Sequence, residues 1–196
     1  MKHSREELRL LLRRQRVLIS VAAQSAASAG IIESVVETSS HLRARSDPGV
    51  VAGYVSTGGE IDAMPVLDAL RSAGWQTVLP VCGADAQMDF CPWEPGDSLT
   101  ENRYGIGEPS STPVAPETID VVLVPGVGFG RDGSRIGHGV GYYDRYFAKC
   151  FATNHDPVRL GVAHDLQIVD LPTPESWDVA MHAVITPSET ILIDGQ

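Results

Sequence analysis

The sequence predicts an α/β fold built on a mainly parallel sheet, and three observations carry that expectation. Short apolar runs of strand length alternate along the chain with stretches of helical periodicity, the pattern of βαβ units. The runs at residues 50–55 and 119–124 are almost entirely apolar, as strands covered on both faces are. Apolar residues make up 43% of the 196 and charged residues 20%, which suits one packed core in a single domain over residues 1–196 and argues against disorder.

Taken in order, Ser4 followed by Glu7 fits a capping box, so a helix begins at Arg5. At about 100° per residue, Arg5, Arg9, Arg13 and Arg16 fall within roughly 80° of one another, beside an apolar edge of Leu8, Leu11, Leu12 and Ile19. A second helix covers residues 21–38, rich in Ala and Ser, with Ile31, Ile32, Val35 and Val36 as its apolar positions. Residues 41–49 connect it onward, with turn chemistry at Asp47-Pro48-Gly49. A strand at residues 50–55 ends in a glycine-containing loop at 56–59. Residues 64–73 carry Val66, Leu67 and Leu70 at helical spacing, and Gly74 suits the C-terminal cap. Asp62 caps that helix or touches a ligand. Residues 77–81 form a strand, and 83–118, with five of the 13 prolines, read as an irregular excursion with room for a hairpin. The strand at 119–124 leads through Pro125 and a glycine-rich loop into a helix over 141–151. Strands at 159–163 and 183–186 follow, with an edge strand at 190–193. Ligands of parallel sheets sit beyond the carboxyl ends of the strands, which points to the loops after Val55, Val81, Val124 and Ala163.

Composition excludes several classes. A formal charge of −10 argues against a general nucleic-acid binder. No run of about 18 apolar residues is present, so no membrane span is expected. Cys82, Cys91 and Cys150 form neither a disulfide framework nor a zinc pattern, and a reducing cytoplasm is the expectation. The charge is uneven: residues 1–16 hold Lys2, Arg5, Arg9, Arg13, Arg14 and Arg16 against Glu6 and Glu7. Such a basic tip on an acidic body is a solvated helix face or the grip for a polyphosphate.

The segment 126–141 contains seven glycines and runs directly into Tyr142-Tyr143-Asp144. A strand, a glycine loop and a helix N-terminus together make an anion cradle, since free N–H groups and the helix dipole point the same way. Arg135 adds a guanidinium for phosphate oxygens. The spacing is neither a Walker loop nor the Rossmann fingerprint. Asp144, in the first turn of the helix, is either a dipole-paired carboxylate or a magnesium ligand facing phosphates.

The block Gly133-Ser134-Arg135-Ile136-Gly137-His138-Gly139-Val140-Gly141-Tyr142-Tyr143-Asp144 resembles the Gly-x-Arg-Leu-Gly-x-Gly-x-Gly-Tyr-Tyr-Asp motif of the 5-formyltetrahydrofolate cyclo-ligase family. Arg5-x-x-Leu8-Arg9, Tyr54 to Asp62, Asp120 to Phe129, Tyr104 to Pro109, Gly161 to Gln167 and Trp177-Asp178 resemble its other blocks, in the same order. The resemblance implies a three-layer fold of the sugar-phosphate isomerase and CoA-transferase kind. It implies ATP as cosubstrate, Mg²⁺ as metal and 5-formyltetrahydrofolate as substrate, converted to 5,10-methenyltetrahydrofolate with release of ADP and phosphate. It assigns Arg5, Arg9, Arg135 and the stretch Ile136, Gly137, His138, Gly139, Val140, Gly141, Tyr142 and Tyr143 to ATP. Val55, Glu60 and Tyr104, with His138, Gly139, Val140, Gly141 and Tyr142, go to the folate; Glu60 grips the pterin and Tyr104 stacks near it. Arg135, Tyr142 and Tyr143 serve the chemistry, and Asp144 and Asp178 hold magnesium.

The partners implied are these two small molecules, with no nucleic acid and no membrane, for a monomer or small homo-oligomer. His164-Asp165 reads as a surface or loop pair, and Trp75, Trp93 and Trp177 as packing residues, Trp177 also standing where it can wall the metal site. The same residues leave open a catalytically silent nucleotide- or folate-binding regulator, a paralogue acting on another substrate, and a sugar-phosphate isomerase or transferase.

Overall fold

The computed structural model describes residues 3–43 and 47–193. In chain order the elements are α1 (Arg5–Arg16), α2 (Val21–Gly30), α3 (Ile32–Arg43), β1 (Val50–Ala52), α4 (Met64–Ser72), β2 (Gln76–Cys82), β3 (Met88–Pro92), β4 (Thr100–Glu101), β5 (Gly107–Glu108), β6 (Val121–Pro125), β7 (Gly128–Phe129), β8 (Arg135–Ile136), α5 (Tyr142–Ala152), β9 (Val158–Val162), β10 (Ala183–Ile185) and β11 (Thr190–Leu192). Seven of the strands form one sheet in the order β11-β10-β9-β6-β1-β2-β3. The strands from β10 to β2 run parallel, and β11 and β3 close the two edges antiparallel.

Period-two alternation along the buried strands builds three layers. Val51, Val121, Leu123 and Leu160 pack against Ile31, Val35, Val66, Leu67 and Leu70 of the α2–α4 layer. Their neighbours Ala52, Val122 and Val124 point the other way, onto Tyr146, Phe147 and Cys150 of α5. Helix α1 belongs to neither layer. Its capping box at Ser4 and Glu7 is formed as expected, and Leu8 and Leu12 cover Val127 and Ile136 of the small β7–β8 ribbon. That places α1 across the carboxyl ends of the sheet, with Leu11 left exposed rather than buried.

Several boundaries differ from the sequence reading, each for a local reason. The helix expected over 21–38 is two helices with a turn at Ile31, which follows Gly30 and is itself fully buried. The turn lets both halves lie on α4. The helix then continues past 38 to Arg43, and residues 44–46 of the expected connection lie outside the described residues. Strand β1 ends at Ala52, short of the expected residue 55; Leu67 packs directly over Gly53, where a Cβ would come within 2.5 Å of it. The proline-rich excursion contains the antiparallel edge β3 and a β4–β5 hairpin. His164 is not a surface residue. It is buried, its side chain accepts the Gln167 N–H, and its Nε2 donates to the Gly59 carbonyl at 3.0 Å, while the adjacent Asp165 is exposed and accepts from Ser188.

Phe129 shows how tightly the strand ends are seated. Its ring is fully buried, and Cβ atoms added at Gly126 or Gly161 would come within 2.5 and 2.7 Å of it. Replacing Gly161 by Ala should therefore overpack the middle of the sheet and lower the unfolding free energy by about 1–3 kcal/mol. A urea midpoint unchanged by Gly161→Ala would contradict this account.

Burial also shapes the pH response. Desolvation holds His164 and His182 below the ordinary value of 6.5, and Arg159 beside His182 adds to the effect. Both rings are neutral in the fold and protonate more readily once unfolded. Their contribution is therefore complete above about pH 6.5 and is lost as the pH falls through the lowered folded values. Stability should decline from pH 7 to pH 5, and His164→Gln should flatten that slope.

Candidate active site

The topological switch lies between β1 and β6, from which the chain winds outward in both directions. The loops leaving these strands diverge there, and a cleft of 1590 Å³ opens between them, α1 and the N-terminal half of α5. A pocket for one small ligand is typically about 300–1,000 Å³, so this space accommodates two side by side.

One wall is α1, and its arginines are held by loop carbonyls. Arg9 Nε donates to Gly137 O at 3.0 Å, and Arg13 donates to His138 O at 2.9 Å. Arg16 is buried and donates to Gly58 O, to Gly126 O and to the Glu60 carboxylate at 3.3 Å. Burial lowers the Arg16 value and Glu60 opposes the shift. Gly58 and Gly59 both take positive φ, and a Cβ at Gly59 would strike the Arg16 carbonyl at 2.7 Å. The Gly-Gly turn is thus the condition for seating α1 so closely.

Glu60 is buried at the inner end of the cleft. Its Oε2 accepts the Thr57 N–H at 3.0 Å, and its Oε1 accepts from Arg16 and from His138 Nε2 at 3.0 Å. His138 receives Arg13 on its other ring nitrogen, so the neutral Nε2–H tautomer satisfies both contacts. Tyr54, fully buried nearby, donates to the Ile61 carbonyl, and desolvation pushes its hydroxyl well above the ordinary value.

The glycine loop and the start of α5 form the opposite wall. Gly139 and Gly141 take positive φ, and among the described residues no protein group accepts the backbone N–H groups of His138 through Asp144. Arg135 is buried, and its Nη2 meets both oxygens of Asp144 at 3.0 and 3.1 Å. Its Nε, like that of Arg13, is buried without an acceptor. Arg5 closes on Asp178 at 2.6 Å. Tyr143 stands under the influence of both Glu60 and Arg135, whose guanidinium lies 5.5 Å from its ring centre. Desolvation raises the hydroxyls of Tyr142 and Tyr143, so both are neutral phenols with a proton available for donation. The β4–β5 hairpin reaches over the mouth, where Arg103 donates to the Tyr142 hydroxyl at 2.9 Å and stacks on Tyr104. Cys82, at the end of β2, also lines the cleft, and burial pushes its thiol up to about 11.

Arg5, Arg9, Val55, Glu60, Tyr104, Arg135, Gly137, His138, Gly139, Val140, Gly141, Tyr142, Tyr143, Asp144 and Asp178 all line this one cleft. Ile136 does not. Its side chain is buried beneath α1, and its carbonyl accepts the Val127 N–H. Sequence reading also underrated Trp177, which is 67% exposed at the rim rather than packed, and gave no role to Arg145 and Phe151, which line the cleft, or to Arg103, which bonds to Tyr142. An arginine in the first turn of a helix, a phenylalanine in its last turn or a lone arginine on a hairpin gives no signal without the tertiary arrangement.

Comparison with known proteins shows the family and the fold. The chain is 36% identical over 144 residues to the 5-formyltetrahydrofolate cyclo-ligase of Escherichia coli strain K12, covering 71% of this chain and 78% of the relative. It is 34% identical over 150 residues to the enzyme of the same name from Mycolicibacterium smegmatis, covering 72% and 75%. In fold it matches the solved 5,10-methenyltetrahydrofolate synthetases of Aquifex aeolicus, with a TM-score of 0.79 at 24% identity over 98% of this chain and 94% of that one, and of Mycoplasma pneumoniae, with 0.75 at 22% over 94% and 99%. The sequence profile of the 5-formyltetrahydrofolate cyclo-ligase family spans residues 1–187, and the chain belongs to that family.

Proposed function

We propose that this chain, acting as a single domain, converts 5-formyltetrahydrofolate to 5,10-methenyltetrahydrofolate at the expense of ATP, releasing ADP and phosphate. The observation that carries the reading is the pairing, within one cleft, of an amide-and-guanidinium cradle with a buried carboxylate. Tyr143 stands under the influence of both. The free N–H groups of His138 through Asp144 and the unpaired Nε atoms of Arg135 and Arg13 are donors awaiting an anion. Arg5 and Arg9 approach the same cradle from α1.

The chemical problem is a poor leaving group, the formamide oxygen. Phosphorylating that oxygen turns it into phosphate, and N10 of the folate then attacks the activated carbon as phosphate departs. The protein has to align the two substrates, neutralise the transferring phosphoryl group and keep water out. Arg135 takes the charge that develops on the phosphoryl oxygens, and the tyrosine hydroxyls orient the reacting oxygen by donation. Glu60 holds the pterin. Three of its roughly four lone-pair sites already have donors, and half-exposed His138 is the partner that the pterin displaces. Val55 and Tyr104 flank the ring.

Asp144 and Asp178 are hard oxygen donors, and among the described residues no cluster of three or more His, Cys, Asp or Glu offers a self-sufficient metal cage. Two carboxylates completed by substrate phosphates suit Mg²⁺, which supplies charge neutralisation of the phosphates when bound. The two aspartates are paired with Arg135 and Arg5, so binding of a metal–nucleotide pair exchanges partners and leaves no charge unmatched. The three free cysteines accord with a cytoplasmic setting. No single described helix is long and apolar enough to cross a membrane. We assign no nucleic-acid partner, and a monomer or small homo-oligomer.

Incubation with 5-formyltetrahydrofolate, Mg²⁺ and ATP should generate methenyl absorbance, and none should appear without ATP. ATP binding without turnover would point instead to a silent regulator. Arg135→Ala should lower kcat by about 100-fold or more, the loss typical of removing a donor to developing charge. Asp144→Asn should act similarly and raise the Mg²⁺ requirement, with circular dichroism unchanged. Near-normal turnover in either variant would remove these residues from the mechanism.

A further inference from the structure

Helix α1 uses two of its sides within the fold. Leu8 and Leu12 cover the β7–β8 ribbon, and Arg5, Arg9, Arg13 and Arg16 turn to the cleft, where each has a partner. A third side is left over. At about 100° per residue, Glu7 and Arg14 fall within roughly 20° of each other, with Leu10 and Leu11 about 50° to either side. This stripe points away from both the ribbon and the cleft. Leu10 is 54% and Leu11 43% exposed, and Glu7 and Arg14 are open to solvent. Arg14 is the one α1 arginine with no partner among the described residues.

The apolar character continues into the turn that follows. There the chain bends by 103° between α1 and the α2–α3 pair, and Leu18 is left 83% and Val21 82% exposed. Among the described residues, five of the twelve large apolar side chains that stand open fall within residues 10–21. A single exposed leucine is ordinary, whereas a run gathered on one segment marks a contact surface. The stripe is also complementary to itself. The midpoint of α1 lies between Leu10 and Leu11, and Glu7 and Arg14 stand at equal distances on either side of it. Two copies laid antiparallel about a two-fold axis through that midpoint bring Leu10 against Leu11 at the centre and Glu7 against Arg14 at both ends, with the helix dipoles opposed.

We propose that this face is a homodimer interface, α1 packing antiparallel on α1 of a second copy with Leu18 flanking the apolar centre. A parallel pair would set acid against acid and arginine against arginine, which costs affinity. A lipid surface suits the face poorly. Membrane-bound helices carry several basic residues on their polar side, and here Arg14 stands beside an acid while the other four arginines of α1 are engaged at the cleft. The dimer leaves the cleft open, because the stripe and the cationic edge lie on opposite sides of the helix.

Sedimentation of the full chain across the micromolar range should show a reversible dimer. Leu11→Glu and Leu18→Glu, both at exposed positions, should keep the circular dichroism of the wild type and weaken association by about tenfold or more. Arg14→Glu should weaken it by a similar factor, since it opposes two acids at both ends of the contact. Glu7→Lys should do the same, and adding Arg14→Glu to Glu7→Lys should restore most of the lost affinity. Both of those variants lack the Ser4–Glu7 capping box, so the comparison between them isolates the contact across the interface. A wild type that stays monomeric throughout would overturn the proposal. So would a dimer unaffected by Leu11→Glu and Leu18→Glu, which would put the interface elsewhere, and a double variant with no recovery, which would exclude the antiparallel pairing. Monomers that bind anionic vesicles and do not pair would overturn it in favour of a lipid surface.

Discussion

The site depends on one buried cation. Arg16, the last residue of α1, reaches the carbonyl of Gly58 in the loop after β1, the carbonyl of Gly126 in the loop after β6 and the carboxylate of Glu60. Those loops leave the sheet where the winding direction reverses, so a single guanidinium spans the crevice in which α/β proteins bind their ligands. Its planar fork suits three acceptors in different directions, which a lysine ammonium on a flexible stem matches poorly. Removing Glu60 would strand a buried charge, and removing Arg16 would strand a buried carboxylate, each a costly state. The pair thus matters more for fixing the geometry of loop against helix than for net stability.

Around this anchor, the cleft satisfies its charges internally. The carboxylates suited to a metal rest on the guanidiniums suited to phosphate, Asp144 on Arg135 and Asp178 on Arg5. Pairing the charges with one another keeps them preorganised and leaves none of them buried without a partner. The backbone amides from His138 to Asp144 stay outside this internal pairing. They remain open because the left-handed turns at Gly139 and Gly141 interrupt regular pairing in the loop, and because Tyr142 to Asp144 are the first turn of α5, whose amides have no intrahelical acceptor.

The small β7–β8 ribbon connects the core to this chemistry. Phe129, pressed between Gly126 and Gly161, pins its outer end, and the apolar edge of α1 covers Val127 and Ile136. Ile136 therefore supports one wall of the cleft from beneath, as packing, even though it lies inside the motif whose neighbours face the cleft. The strand period explains this: Arg135 and Ile136 are adjacent and must point to opposite sides of the ribbon.

The alternation of apolar runs and helical periods was enough to establish the α/β class, the capped start of α1, the buried strand ahead of the glycine loop and the strand-end loops where ligands would sit. These are local properties, decided by side-chain period, cap chemistry and glycine φ, and they are readable wherever they occur in a chain. The run Arg135 to Asp144 likewise pointed to a glycine-rich cradle at the start of α5 through its composition alone. What the sequence left undecided was who meets whom across long separations. That Arg5 meets Asp178, that His164 is buried under Gly59, that Trp177 stands open opposite α5, and that the helix over 21–38 breaks at Ile31 follow from how layers pack and which backbone groups then lack partners. Those contacts are set by the tertiary arrangement, because burial and pairing depend on neighbours that no local period encodes.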